Sequence, residues 1–380
     1  MRALPVGFAS RDFLLRNLAK LFGNTLVEVA VGPYRLTIDL RQTFHRAMAL
    51  GHYDPPLESI VSKVLKPGDV FVDVGSEIGY IACFAGTILG PAGKMILFEP
   101  ETRAHARLVA HIASAGGRNT PETVINKLGC SDREAEVPLA LEEISGQSRI
   151  EPGAASRAHE TIRTTTLDQR LAELGRPVRL VKMDVEGHEI QALRGMAETL
   201  GRRGVDYVIV ERNKGLLWQN GYTPHHLHAL FAHNGYAGCT EQGEPITPAN
   251  LYDDTLNNLV YAKSPDLIAA LFPSLPAGEI AGGRAPIKYY NEAIDPDYPG
   301  REIRDAVVSA ARGDLDGAIE QATRLTRRRP NLLNLKGHLA YWLTLAGRGA
   351  EALPIYRELH AHEPDNPEIK KAIAEIENRQ

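Results

Sequence analysis

Four apolar runs in this 380-residue chain each stop at a small group of acids, glycines or a histidine, and those stops are where chemistry could be done. The first, Val70-Phe71-Val72, runs into Asp73-Val74-Gly75-Ser76-Glu77-Ile78-Gly79-Tyr80. Glycines at 75 and 79 allow unusual backbone angles and close approach, and a helix starting after them presents unpaired N–H groups. The spacing is neither G-x-G-x-x-G nor G-x-x-x-x-G-K-[ST], so the turn is not built to cradle a pyrophosphate or triphosphate. An acid at its head suits a ligand that carries positive charge. A turn of this kind also serves packing alone in many α/β proteins.

The other stops add polar groups to the same picture. Met95-Ile96-Leu97-Phe98 ends in Glu99-Pro100, about twenty residues beyond the glycine turn, where a doubly wound fold sets a carboxylate against ribose hydroxyls. Thr123 to Leu128 is followed by Gly129-Cys130-Ser131-Asp132, which would set Ser131 and Asp132 beside a base edge. Val178 to Met183 stops abruptly in Asp184-Val185-Glu186-Gly187-His188-Glu189. Acids seldom end such an apolar strand unpaired. Glu186 and Glu189 could complement the dipole of a helix over Ile190 to Leu200, which explains Glu189 well and Asp184 less well.

The D-x-G-x-x-x-G turn is similar to that of S-adenosylmethionine (SAM) enzymes. Taken with Phe98-Glu-Pro100, Thr166-Leu-Asp168 and Val181-Lys-Met-Asp-Val-Glu-Gly-His-Glu189, it makes residues 45 to 262 resemble the FkbM family of SAM-dependent methyltransferases. The Lys-x-Asp-Val-Glu-Gly-x-Glu stretch is the most specific part. Ser76-Glu77 departs from the Ala-Asn of many relatives, and Gly51-His52-Tyr53-Asp54 stands where relatives carry a Gly-x-Tyr-Glu-like segment; it could close over the cofactor or equally be a surface loop. The resemblance implies SAM as cofactor, with Asp73, Gly75, Ser76, Glu77, Gly79, Tyr80, Glu99, Pro100, Ser131, Asp132 and Asp184 around it. It also implies an O-methyl transfer to a hydroxyl of a sugar, glycan or polyketide-like molecule. An alcohol needs its proton taken as it attacks. Asp184 is expected to orient cofactor or acceptor, and His188 or Glu186 to assist deprotonation; the alternative is that Glu186 and Glu189 only shape the turn. Amide and adenine N-methylation is disfavoured because Asp184-Val185-Glu186-Gly187 is not an Asn/Asp-Pro-Pro-Tyr/Phe motif. A different class of function is a scaffold that binds SAM without turnover and recruits a protein.

These residues need elements to hold them. Helices over Ile81–Leu89, Arg103–Ala115, Leu167–Leu174, Ile190–Gly201 and Pro224–Asn234 alternate with the strands above and with Tyr207–Val210. That alternation predicts a class I, Rossmann-like, doubly wound sheet of seven mostly parallel strands, completed by Tyr236–Thr240 and Asn258–Ala262. The resemblance makes the last strand antiparallel. Leu26–Val31 and Tyr34–Leu40 read as a hairpin about Gly32-Pro33, preceded by an amphipathic helix over Arg11–Phe22. Pro138–Thr164 reads as an irregular cap near the site.

The expected domains are 1–44 (helix and hairpin), 45–263 (methyltransferase), 264–300 (a proline- and glycine-rich linker) and 301–380 (all-α). In the last, Gly313, Ala318 and Pro330 recur as Gly347, Ala352 and Pro364, each 34 residues on, the tetratricopeptide period. Two such repeats should stack on another surface, either the catalytic domain, another subunit or a protein partner.

The formal net charge of −4 gives no expectation of nucleic acid, and Arg324, Arg327, Arg328 and Arg329 read as a solvated helix end. Cys83, Cys130 and Cys239 have no metal or redox spacing, and no run is long and apolar enough to span a membrane, so a reduced cytoplasmic setting is expected. His225, His226 and His228 lack a partnering acid or cysteine in the sequence, so no metal site is expected there.

Overall fold

The computed structural model describes residues 25–378 except for 52, 118, 143–146, 151–157, 173, 203, 248–249, 253–255, 276–279, 281–286, 296, 363 and 365. The amphipathic segment Arg11–Phe22 and His52 lie outside the described residues. The chain forms two compact units, one of residues 1–213 with 227–285 and the other of residues 214–226 with 286–380.

The first unit opens with the hairpin β1 (Leu26–Val31) and β2 (Tyr34–Asp39), whose two-residue turn has Gly32 at φ 56°. Tyr34, Leu36 and Ile38 point into the core, as strict alternation requires. The main strands are β3 (Val70–Val74), β4 (Lys94–Phe98), β5 (Glu122–Asn126), β10 (Val178–Met183), β11 (Val205–Glu211), β12 (Ala237–Thr240) and β13 (Asn258–Ala262). They form one seven-stranded sheet in the order β12-β13-β11-β10-β3-β4-β5. All neighbours from β11 to β5 are parallel, and β13 is inserted antiparallel between β11 and β12. Strands covered on both faces need side chains that are apolar throughout, which is why Val70–Val74 and Val178–Met183 read as almost unbroken hydrophobic runs. The fold is therefore α/β and Rossmann-like. Strand order reverses between β3 and β10, and such a reversal opens a crevice beyond the carboxyl ends of the two strands.

Three local differences from the sequence expectation have physical causes. The segment expected to be an irregular cap carries a small sheet, β7 (Glu136–Ala140), β8 (Arg149–Ile150) and β9 (His159–Thr165), with β6 (Gly129–Cys130) on its edge. Its strand signal lay in the stretch 159–165, with three threonines and Ile162, masked by the polar residues on the outer face. The helix expected over Ile190–Gly201 is two short ones, Glu189–Arg194 and Ala197–Gly201. They break at Gly195, where a Cβ would lie 1.9 Å from the carbonyl oxygen of Ser131. The expected linker holds the helices Pro265–Leu271 and Ile287–Ile294, and Gly300 begins another, Gly300–Ala311.

In the second unit, Gly300–Ala311, Leu315–Arg328, Leu333–Leu345, Gly349–His362 and Pro367–Glu377 form a helical array in which each packs mainly on the next. Gly313 and Gly347 both adopt left-handed turns, at φ 89° and 74°, and Ala318 and Ala352 are both fully buried. Alanine at such positions lets helix backbones approach closely. His226, for which the sequence offered no acid, meets Glu292 at 2.8 Å. His228 instead has Tyr261 as its partner, 3.2 Å from the phenol oxygen.

No helix among the described residues is long and apolar enough to cross a membrane, and none of their histidines, cysteines and acids group as a metal site. All three cysteines are buried and free.

Candidate functional site

A cavity of about 400 Å³ lies in the crevice of the first unit, at the carboxyl ends of β3, β4 and β10. Asp73, Gly75, Ser76, Glu77, Tyr80, Glu99, Pro100, Asp184, Glu186 and His188 all line it. Gly79, Ser131 and Asp132 do not.

The glycine turn is held by backbone bonds across the sheet. The N–H groups of Gly75 and Ser76 both donate to the Phe98 carbonyl at 3.0 Å, and that of Asp184 donates to Val74 at 2.9 Å. Gly75 has φ 80°, and a Cβ on it would come within 1.8 Å of the Asp184 carbonyl oxygen. Its glycine is thus demanded first by the neighbouring strand end. Gly79 likewise sits against Leu108, at φ 85°, and starts the helix Tyr80–Leu89.

Glu99 is buried, with one carboxylate oxygen accepting from Glu77 N–H and the other from Glu101 N–H, both at 2.8 Å. Burial outweighs these amide bonds and pushes its pKa up to about 8. Each oxygen retains a second lone pair for a ligand hydroxyl.

The residue that sequence reasoning passed over is Lys182. It sits inside β10, with its ammonium 3.2 Å from Asp184 Oδ2, 3.1 Å from the Gly75 carbonyl and 3.7 Å from Asp73 Oδ1. Burial pushes this ammonium towards neutrality, but Asp184 and Asp73 outweigh it and the pKa stands raised. Burial is likewise the main cause that raises Asp73 to about 6, with Lys182 pulling it back. Asp73 Oδ1 is buried without a hydrogen-bond partner. The available signal was a lysine interrupting an otherwise apolar buried strand, since such a residue is kept only when paired.

Beyond Asp184 the loop is strained, with non-glycine Glu186 at φ 52°. Glu189 is fully buried and turns back to accept from Val185 N–H at 3.2 Å and Gly187 N–H at 3.1 Å. That is a loop-shaping role. Burial, then Asp184 and Glu189, push Glu186 up to about 8. Glu211, at the end of β11, is raised by burial and by the adjoining Asp184 carboxylate.

Burial draws His188 down to about 4, so its ring is neutral at pH 7. Its Nε2 is 3.0 Å from Ser131 Oγ, which lies 3.3 Å from Asp132 Oδ1. Ser131 and Asp132, expected beside the cofactor base, therefore stand behind His188, and Leu128, Gly129 and Cys130 take the lining positions of that strand end. Asp168 is also structural, accepting from the N–H groups of Glu198 and Thr199 at 2.9 and 2.8 Å and so capping a helix.

The far wall is polar. Asn258 donates to Glu241 at 2.8 Å and to Asp54 at 3.4 Å, while Glu241 also accepts from the N–H groups of Asn257 and Asn258. Asp54 in turn caps the helix Pro55–Val64 through Leu57 N–H at 3.0 Å. Among the described lining residues nine are acids (Asp54, Asp73, Glu77, Glu99, Glu101, Asp184, Glu186, Glu211, Glu241) and two are cations, Arg149 and Lys182, so the cavity favours a positively charged ligand.

Residues 73–237 match the family model described as the methyltransferase FkbM domain. The hexuronic acid methyltransferase AglP of Haloferax volcanii is 27% identical over 217 residues, spanning 54% of this chain and 81% of that protein. Among solved structures, a candidate rRNA-methylase of Clostridium thermocellum aligns at 11% identity and TM-score 0.33 over 55% of this chain and 93% of its own. Aeropyrum pernix fibrillarin, which holds natively bound SAM, aligns at 14% identity and TM-score 0.30 over 54% of this chain and 73% of its own. Both superpositions are loose, and neither assigns a role to any residue here. The sheet order is Rossmann-like, and most of the residues that line the crevice fall within the stretch that matches this family model.

Proposed function

We propose that the chain is a SAM-dependent O-methyltransferase whose acceptor is a hydroxyl of a sugar or glycan. The observation that carries this reading is the acidic crevice at the switch point, in which Glu99, Asp73 and Asp184 meet at three strand ends. The residues fit SAM: its sulfonium and ammonium suit the excess of carboxylates, and the buried Asp73 Oδ1 still lacks a hydrogen-bond partner. Glu99 would hold the ribose hydroxyls, and Asp73 with Asp184 the amino acid end. When bound, SAM supplies a methyl carbon on positively charged sulfur, which an acceptor oxygen displaces in line.

The chain's own part is to orient the acceptor and take its proton. Asp54, Glu241 and Asn258, with fixed hydrogen-bonding atoms on three separate elements, have the chemistry that reads sugar hydroxyls. The relative's sugar-directed activity supports that class of acceptor. At neutral pH, Glu186 largely retains its proton and is a poor base, whereas His188 is free to accept one. If Ser131 donates to Asp132, His188 carries its hydrogen on Nε2, and Nδ1 is the atom that receives the acceptor proton. Ser131 and Asp132 are then positioning residues. The second unit reads as a tetratricopeptide-like array suited to a protein partner or to self-association, on the shared 34-residue register of its glycines and alanines.

Calorimetric titration with SAM and S-adenosylhomocysteine tests the cofactor. Micromolar binding is expected, weakened by about tenfold or more in Asp73→Ala and in Glu99→Ala, the loss of a charged or bidentate partner. Absence of binding to the unmodified protein would put the scaffold reading first.

A further inference from the structure

Tyr53 lines the cavity, and the mechanism above gives it no part. It is held stiffly: the next residue, Asp54, caps the helix Pro55–Val64, and two prolines fix the first turn. Its ring centre lies 5.1 Å from that of Tyr80 at an interplanar angle of 58°, and Tyr80 is anchored by donating to Glu58 at 3.0 Å. A tilted pair leaves ring surface uncovered that a parallel stack would occupy. Tyr53 feels Glu77 on the glycine-turn side of the cavity and Asp184 on the β10 side, besides Asp54 and Asp73. Glu77, Asp73 and Asp184 belong to the side assigned above to the cofactor, and Asp54 to the wall assigned to the acceptor.

We propose that the Tyr53 ring contacts the sulfonium end of the cofactor, at the junction of the two sides, and recognises its positive charge. The inference rests on the SAM-binding reading. An aromatic face attracts a desolvated cation by its quadrupole, an attraction that a neutral thioether of the same shape does not share. Carboxylates supply charge attraction from the periphery. The ring supplies an apolar wall that can touch a methylsulfonium without hydrating it.

The test is the ratio of affinities for SAM and S-adenosylhomocysteine, measured by calorimetry on the full chain and on Tyr53→Ala and Tyr53→Phe. Tyr53→Ala should weaken SAM by about tenfold and S-adenosylhomocysteine by less than about threefold, whereas Tyr53→Phe should keep the ratio of the unmodified protein. Equal weakening of both ligands in Tyr53→Ala would make the ring a packing element and overturn the proposal, as would a ratio lost in Tyr53→Phe. Failure of the unmodified protein to bind either ligand would instead sink the underlying methyltransferase reading. Circular dichroism and a thermal melt of each variant check that the fold is retained.

Discussion

Replacing Lys182 by methionine would remove the one cation that lies between Asp73 and Asp184. The side chain keeps its length and fills nearly the same space, so packing changes little. What changes is charge. Asp73 is 1% exposed, and it loses an ammonium 3.7 Å away while Asp184 loses one at 3.2 Å. Removing one partner of a buried ion pair typically costs about 3 to 5 kcal/mol, because the remaining charge is left in low dielectric. Asp73 can limit that cost by taking up a proton, its pKa already standing at about 6. The sign follows from linkage. An acid whose pKa is raised by folding binds protons more readily in the native state, so lowering the pH towards its unfolded value favours folding. The variant raises Asp73 further, so its deficit should be largest above pH 7 and should shrink as pH falls from 7 to 5. Urea titrations at both pH values, followed by tryptophan fluorescence and circular dichroism, measure the effect. Adding Asp73→Asn to Lys182→Met should recover about 2 kcal/mol relative to Lys182→Met alone, since the unpaired charge is gone. A loss below about 1 kcal/mol at pH 7, or no recovery in the double variant, would refute the view that Lys182 neutralises a buried acid.

Three further outcomes are expected. His188→Ala should leave SAM affinity within about threefold and lower kcat by about 10²- to 10⁴-fold, the range of a lost general base. In the unmodified protein the acidic limb of kcat/KM should then fall near pH 4, because the base must be unprotonated; a limb near pH 8 would transfer the role to Glu186. Gly75→Ala should destabilise the protein by about 3 kcal/mol or more, because both the positive φ and the 1.8 Å approach to the Asp184 carbonyl exclude a Cβ. A thermal melt within a degree or two of the parent would contradict that close approach.

Much of the fold was legible because buried parallel strands announce themselves as apolar runs and their ends as abrupt charges. Val70–Val74, Lys94–Phe98 and Val178–Met183 could be found in that way, and with them the acids at their carboxyl ends. Strands facing solvent were harder. The stretch His159–Thr165 alternates the exposed His159, Thr161 and Arg163 with covered residues, and its pairing with Glu136–Ala140 is non-local, so nothing within a short window fixes it. The break at Gly195 depends on Ser131, distant along the chain, for the same reason.

Which residue types stand at each strand end is written along the chain, and with it the availability of Asp73, Glu99, Asp184 and His188 near one crevice. Periodicity and apolar content are local properties that a linear chain displays. What each of those groups faces was left to the folding of the chain in space. It turned Ser131 and Asp132 from the cavity to His188, committed Asp168 to a helix cap, and set Lys182 between two carboxylates. Partners of that kind come from segments far apart in sequence, and it is burial together with those partners that moves each group's proton affinity.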